Sequence, residues 1–344
     1  MKQFYIGTYV NGGADSLFKA EFNEQTAALH MISATNLLES PSYIAPGRGG
    51  LLCAVIEKDG FMGAPESGGL AMLKSDGDAF TLLDAQPTMG GAPCHVIFGD
   101  GQMIYVANYM GGSLSAFEWD EKTNKLHLVQ VIKHEGSGIS PNRQQTPHVH
   151  SCGFMGGLLY AADLSLDALC CYRPTSKGLI PEPLKDIRLP KGSGVRHFIS
   201  SKRYPDTVFA ICELSNEIMM IDVSARGGSL LQTLSTLPEP KKSHASAIKQ
   251  STDGRYLFAS NRGDDSIALF SLSDDKREMQ LLQIVHCEGK TPRDFHVMDD
   301  HVIVCNQDSS DIAIFHFDAV RGQLRYSGDK IPCPKPVCIV EIKG

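Results

Sequence analysis

The sequence has no CxxC pair, no repeated Trp-Asp signature, a single tryptophan (Trp119, followed by Asp120) and no excess of basic charge. Without a CxxC pair there is no zinc framework of the usual spacing. A net charge of −7 argues against sequence-independent nucleic-acid binding, which needs a basic face. No apolar run approaches the roughly 20 residues of a membrane span, and the start Met1-Lys2-Gln3-Phe4 carries no apolar stretch of signal-peptide length. A soluble cytoplasmic protein is expected, with neither membrane nor nucleic acid as partner. The ten cysteines do not read as a disulfide framework. Most sit in apolar runs such as Leu51-Leu52-Cys53-Ala54-Val55, where a reduced thiol behaves as a small hydrophobe.

What the sequence does have is a repeat. Short β-branched or aromatic runs end in a small or polar residue at Thr8, Glu57, Asn108, Asp163, Glu213, Asn261 and Asn306, about every 50 residues. Each later copy is preceded by a short strand with Pro or a small residue near its start, as in Pro93-Cys-His-Val-Ile-Phe98, and a further strand of this kind, Pro336-Val-Cys-Ile-Val340, lies at the C-terminus. Its partner would be Phe4-Tyr-Ile-Gly-Thr8. Helical periodicity is weak and alternating runs abound. Asp253-Gly254 marks a tight turn between two strands. Four strands fit in one repeat, so residues 1–344 are expected to form a single all-β domain, a seven-bladed β-propeller closed by N- and C-terminal strands in one blade. A solenoid is the rival, and the matching terminal strands favour closure, which removes free sheet edges.

In such a ring the innermost strands line a central channel. The column after the Pro-like position reads Ser42, Cys94, His148, Arg196, Ser246, Arg293 and Val337. Strong bases where other blades carry Ser, Cys or Val are not needed for packing. Arg196, Arg262 and Arg293 come from three successive blades and would converge on one channel mouth, where like charges call for an anionic partner. A phosphate or carboxylate on a small substrate satisfies guanidinium forks. Glu213 suits either a functional acid or an ion-pair partner for Arg196. Strand alternation places His148 and His150 on one face, but no third ligand stands at plausible spacing, so no metal is expected. Asn108, Asn261, Asn306, Asp163 and Glu57 are expected to bind backbone groups at strand ends, and His95, His197 and His244 to be structural. The loop from Gly136 through Arg143, Gln144 and Gln145 is expected to be solvated.

The runs Gln144-Gln-Thr-Pro-His-Val-His150, Gly194-Val-Arg-His-Phe198, Cys212-Glu-Leu-Ser-Asn216, Thr252-Asp-Gly-Arg255, Ser260-Asn-Arg-Gly263 and Thr291-Pro-Arg-Asp-Phe295 resemble the lactonase family of seven-bladed propellers. The likeness extends over Gly91-Ala-Pro-Cys-His95 and Val106-Ala-Asn-Tyr109 to essentially the whole chain. The family includes propeller-type 6-phosphogluconolactonases and 3-carboxy-cis,cis-muconate lactonizing enzymes. The resemblance implies that His148 and Glu213 are the acid/base residues and that Arg196 and Arg262 bind the anion, with Arg293 matching a further basic motif. It implies hydrolysis of a phosphorylated sugar lactone, 6-phosphogluconolactone first, in the pentose phosphate pathway, with no cofactor. Carboxymuconate lactonization is the alternative, and a propeller used only as a binding scaffold is a third reading. The chain departs from the family pattern at Asp264, where a His is common, and at Gly99-Asp-Gly101, where a Pro-Asp-Gly turn is common.

Overall fold

In the computed structural model, which describes residues 1–342 except Asp275, seven antiparallel sheets follow one another around a ring. Six come from consecutive chain. Blade 1 begins with the strand Ile44–Pro46, blade 2 with Pro93–Phe98 and blade 3 with Val149–Met155. Blade 4 begins with Val195–Ser200, blade 5 with His244–Gln250 and blade 6 with Pro292–Val297. The seventh is built from both ends of the chain: Pro336–Glu341 pairs antiparallel with Lys2–Thr8, with Phe4 opposite Glu341 and Ile6 opposite Ile339. The closure expected from the terminal strands is therefore present. Helical structure among the described residues is limited to two short 3₁₀ turns, Phe61–Gly63 and Pro183–Lys185, and no helix there is long and apolar enough to cross a membrane.

The ring holds together through seven apolar seams, one between each pair of neighbouring blades. The second strand of blade 4 serves two of them. Val208, Ala210 and Cys212 pack toward blade 3, while Phe209 and Ile211 pack toward blade 5. Such a strand is covered on both faces, which is why these runs are continuously apolar rather than alternating. All ten cysteines are free thiols buried in these layers. Outer strands such as Met279–His286 meet water along much of their length, with Gln280, Leu281, Leu282 and His286 exposed.

A device recurs at the start of the innermost strands. In six blades the pairing with the second strand skips one or two residues, leaving Cys94, His150, Arg196, Ser246 with Ala247, Arg293 and Val337 unpaired. These are β-bulges, and a bulge re-aims the side chain of the extra residue. Five members of this bulge column and its blade 1 counterpart, namely Ser42, Cys94, Arg196, Arg293 and Val337, line a small cavity in the channel. This corrects the expected column at one position: its blade 3 member is His150, not His148. Pro147 does not match the prolines of the other blades, because the blade 3 strand starts two residues later, at Val149. The two histidines consequently do not share a strand face.

The second column is also displaced in two blades. Thr8, Asn108, Asp163, Asn261 and Asn306 are equivalent, but in blades 1 and 4 the matching residues are Ile56 and Cys212. The following residue makes one recurring bond around the ring. The N–H groups of Tyr9, Glu57, Tyr109, Leu164, Glu213 and Gln307 each donate to the carbonyl of Lys335, Ser40, Ala92, His148, Gly194 and Thr291 respectively, just before the innermost strand. Arg262 takes the same place opposite His244. Five of these seven side chains, Tyr9, Glu57, Tyr109, Glu213 and Arg262, meet the arginine cluster at the channel mouth. Two of the Asn residues act as expected of strand-end amides: Asn261 Nδ2 donates to Thr236 O and Asn306 Nδ2 to Cys287 O, tying each of those blades to the linker that enters it, whereas Asn108 Nδ2 donates to the Ser113 and Ser115 hydroxyls instead.

Candidate active site

The mouth residues of blades 4 and 5, the bulge residue of blade 4 and one linker meet at a single carboxylate. Glu213 is buried, and its Oε1 accepts from Arg143 Nη2 at 2.5 Å while Oε2 accepts from Arg262 Nη2 at 2.7 Å. Arg196 Nε lies 3.2 Å from the same Oε2 but off the axis of a hydrogen bond, so this buried N–H has no acceptor. Burial alone would raise the Glu213 pKa. Arg262, Arg196 and Arg143 override that cost and hold the carboxyl well below the usual range. Glu213 is thus a permanently ionised hub for three guanidiniums, the ion-pair role anticipated for it. Burial, with Arg262 and Arg293 nearby, pushes Arg196 down to about 9. Arg196 Nη1 donates to Ser246 O at 2.8 Å, which fixes its fork within the channel.

Arg293 enters from the bulge of blade 6 and donates from Nη2 to the Tyr9 hydroxyl at 2.6 Å. Tyr9 donates in turn to Glu57 Oε2 at 2.8 Å. The sequence reading gives Glu57 only a strand-end cap; it stands instead at the mouth. Four guanidiniums, those of Arg143, Arg196, Arg262 and Arg293, therefore face two carboxylates, Glu213 and Glu57. The local balance is positive inside an acidic protein, in line with the three arginines legible in the sequence.

Most of the linker 134–148 is solvated as expected, Gln145 included, but Gln144 and Arg143 depart from that reading. Gln144 is fully buried: Nε2 donates to Leu164 O at 2.8 Å and to Asp167 Oδ1 at 2.9 Å, and Oε1 accepts from the Ser140 N–H. That anchor carries the preceding residue, Arg143, over the mouth, where Nη2 also reaches the Tyr109 hydroxyl at 3.3 Å.

His148 ends this linker and is partly accessible. Its ring stacks on Tyr109 at 4.4 Å between centroids and 11° between planes. Nδ1 lies 3.0 Å from the Tyr109 carbonyl, which can only accept, so Nδ1 donates to it, and in the neutral ring the lone pair stands on Nε2. Nε2 has no protein partner among the described residues. Asp163 fixes the backbone beneath it by accepting from the His148 N–H at 3.1 Å, and its other oxygen binds His134 Nδ1 at 2.7 Å. An accessible imidazole of defined tautomer beside a cationic pocket can take a proton from water.

Below the mouth, His150, His197 and His95 form a row of rings, 5.3 Å and 5.6 Å apart, ending on Tyr43. Burial pushes all three below the ordinary value of 6.5, His95 to about 3, so they are neutral and add no charge to the arginines. The unfolded chain then binds more protons than the folded one below about pH 6.5, and stability is lost as pH falls through that range. At up to ~1.4 kcal/mol per pH unit for each ring, lowering the pH from about 7.5 to 5.5 should remove on the order of 3–4 kcal/mol. Thermal melts at the two values check this; an unchanged Tm would mean that the imidazoles gain protons inside the fold. Among the described residues no three of His, Cys, Asp and Glu are grouped as a metal ion would require.

Sequence reasoning misses Tyr9 and Tyr109 and takes Arg143 for part of a solvated loop. Tyr9 and Tyr109 each lie one residue beyond the repeat column, which is the signal that finds them once the column is shifted.

A family model described as "Lactonase, 7-bladed beta-propeller" matches residues 3–341. The 6-phosphogluconolactonase of Bacillus subtilis (strain 168) is 30% identical over 348 residues, covering 97% of this chain and 97% of that protein. A crystal structure from Bacteroides fragilis NCTC 9343, provisionally described as a 6-phosphogluconolactonase, superposes with a TM-score of 0.91 at 26% identity over 99% of this chain and 98% of the other. The periplasmic gluconolactonase PpgL of Pseudomonas aeruginosa shares the fold, with a TM-score of 0.87 at 24% identity over 99% of each chain.

Proposed function

Because the chain is a lactonase and belongs to the seven-bladed β-propeller lactonase family, we propose that it hydrolyses 6-phosphogluconolactone to 6-phosphogluconate, a step of the pentose phosphate pathway. The observation that carries this reading is the pairing of surplus guanidinium charge with an accessible imidazole whose Nε2 is free. The name of the Bacillus subtilis relative supports the substrate. Ten unpaired, buried thiols support a cytoplasmic setting.

In this mechanism the arginines hold the phosphate, and His148 Nε2 takes a proton from the water that adds to the ester carbonyl. A guanidinium of the Glu213 hub stabilises the developing oxyanion. The ring C–O bond then breaks, and the imidazolium returns its proton to the departing ring oxygen. The lactone is reactive enough that no covalent nucleophile is needed, and no GxSxG elbow occurs in the chain. Glu213 serves as the anchor of the anion site; held ionised by three guanidiniums, it is a poor proton acceptor.

The deciding experiment follows hydrolysis of freshly made 6-phosphogluconolactone by the pure protein against the spontaneous rate. A rate well above background is expected. No acceleration by the folded protein, or loss of ultraviolet absorbance from a carboxymuconate instead, would overturn the assignment in favour of the cycloisomerase reading.

A further inference from the structure

Arg293 differs from the other guanidiniums of the mouth. Arg143, Arg196 and Arg262 all lean on Glu213. Arg293 forms no ion pair among the described residues; its side-chain partner is a neutral phenol. Two contacts with that phenol orient it. Nη2 donates to the Tyr9 oxygen, and the guanidinium carbon lies 4.9 Å over the Tyr9 ring. A planar fork held both by its edge and by its face has little freedom left to rotate. Glu57 completes the arrangement. Its carboxylate can only accept, so the Tyr9 proton is directed to Oε2 and the Tyr9 oxygen turns a lone pair toward Arg293.

The ring order supplies the second observation. His148 leads into blade 3 and Arg293 belongs to blade 6, three blades apart, the greatest separation a seven-membered ring allows. The Glu213 hub fills one side between them, and Tyr9, Glu57 and Tyr109 fill the other.

We propose that Tyr9, braced by Glu57, is a positioning residue that aims Arg293 at the substrate's anionic group across the channel from His148. The site then selects lactones whose anion is remote from the reacting carbonyl, such as a phosphate at the far end of a sugar chain. This rests on the lactonase reading above.

The test compares the parent with Tyr9→Phe, which keeps the ring face and deletes the hydroxyl, and with Glu57→Gln, which keeps the shape and deletes the charge. Each is assayed on 6-phosphogluconolactone and on uncharged glucono-δ-lactone, with calorimetric titration of 6-phosphogluconate alongside. For Tyr9→Phe, kcat/KM on the phosphorylated lactone should fall about tenfold more than on the uncharged one, chiefly through KM, the scale of one hydrogen bond to a charged group. Affinity for 6-phosphogluconate should weaken in parallel, and Glu57→Gln should show the same pattern more mildly. Equal losses on both lactones would indicate a general structural effect and overturn the proposal, as would no loss on either. If the parent hydrolyses neither lactone while Tyr9→Phe still weakens 6-phosphogluconate binding, the lactonase reading fails and the positioning role stands. Hydrolysis by the parent with an unchanged preference in Tyr9→Phe upholds the lactonase reading and overturns the positioning role. A parent that neither hydrolyses the lactones nor binds 6-phosphogluconate overturns both.

Discussion

Replacing His148 by glutamine should lower kcat for lactone hydrolysis by about 10²–10⁴-fold, the usual worth of a positioned proton acceptor, while KM and Tm stay near their parent values. The expectation follows from how little His148 does for the fold. Its backbone N–H bonds Asp163 and its carbonyl accepts from Leu164, and both survive the substitution. The side chain is partly accessible, so its replacement leaves no deep cavity. What disappears is the free Nε2, held in place by stacking on Tyr109 and by the proton that Nδ1 gives to the Tyr109 carbonyl. A kinetic series with a melting curve for each variant checks this. A kcat within a few-fold of the parent would remove His148 from the chemistry and leave hydrolysis to the arginines and bulk water.

The second large effect is on stability. Glu213→Gln removes the charge that three guanidiniums share and leaves Arg143, Arg196 and Arg262 facing one another in a buried mouth. Breaking a buried charge pair on one side costs about 3–5 kcal/mol, because the remaining charge is uncompensated. A clear drop in Tm is expected, together with loss of hydrolysis through misplaced arginines. The same argument predicts a partial rescue. Inorganic phosphate should raise the Tm of Glu213→Gln more than that of the parent, since the uncompensated guanidiniums gain an anion to bind. A variant as stable as the parent, with no response to phosphate, would show that Glu213 is not the hub of the cluster.

The departures from the sequence reading in the repeat columns share one cause. The repeat shows in the chain as runs of similar residues, and such runs do not reveal pairing register. Six innermost strands carry a bulge that displaces pairing by one or two residues. Alignment by run therefore sets His148 beside Arg196 and Arg293, although His150 holds that place. It likewise sets Glu57 and Glu213 beside Asn108 and Asn261, one residue away from their true equivalents Tyr9, Tyr109 and Arg262. His148, Glu213, Arg196, Arg262 and Arg293 are legible as candidates nonetheless, because acids and bases stand out against a column of small residues whatever the register. Arg143 is invisible for a different reason. A Gly- and Pro-containing linker has no period, and only the buried amide of Gln144 determines where its neighbour points.

The sequence by itself determined the ring: seven apolar two-faced strands about 50 residues apart, matching terminal strands, and a cluster of arginines in a net-acidic chain. Those features are local or countable, and burial follows from them directly. Only the tertiary structure decided which charges meet. Three guanidiniums from two blades and a linker converge on Glu213, while a tyrosine of the closing blade takes Arg293. Blade order, bulge position and linker path bring residues far apart in the chain to within hydrogen-bond distance, and none of these leaves a pattern in the chain. Arg293 and Tyr9 come from opposite ends of the sequence, and they stand one blade apart only because the ring closes.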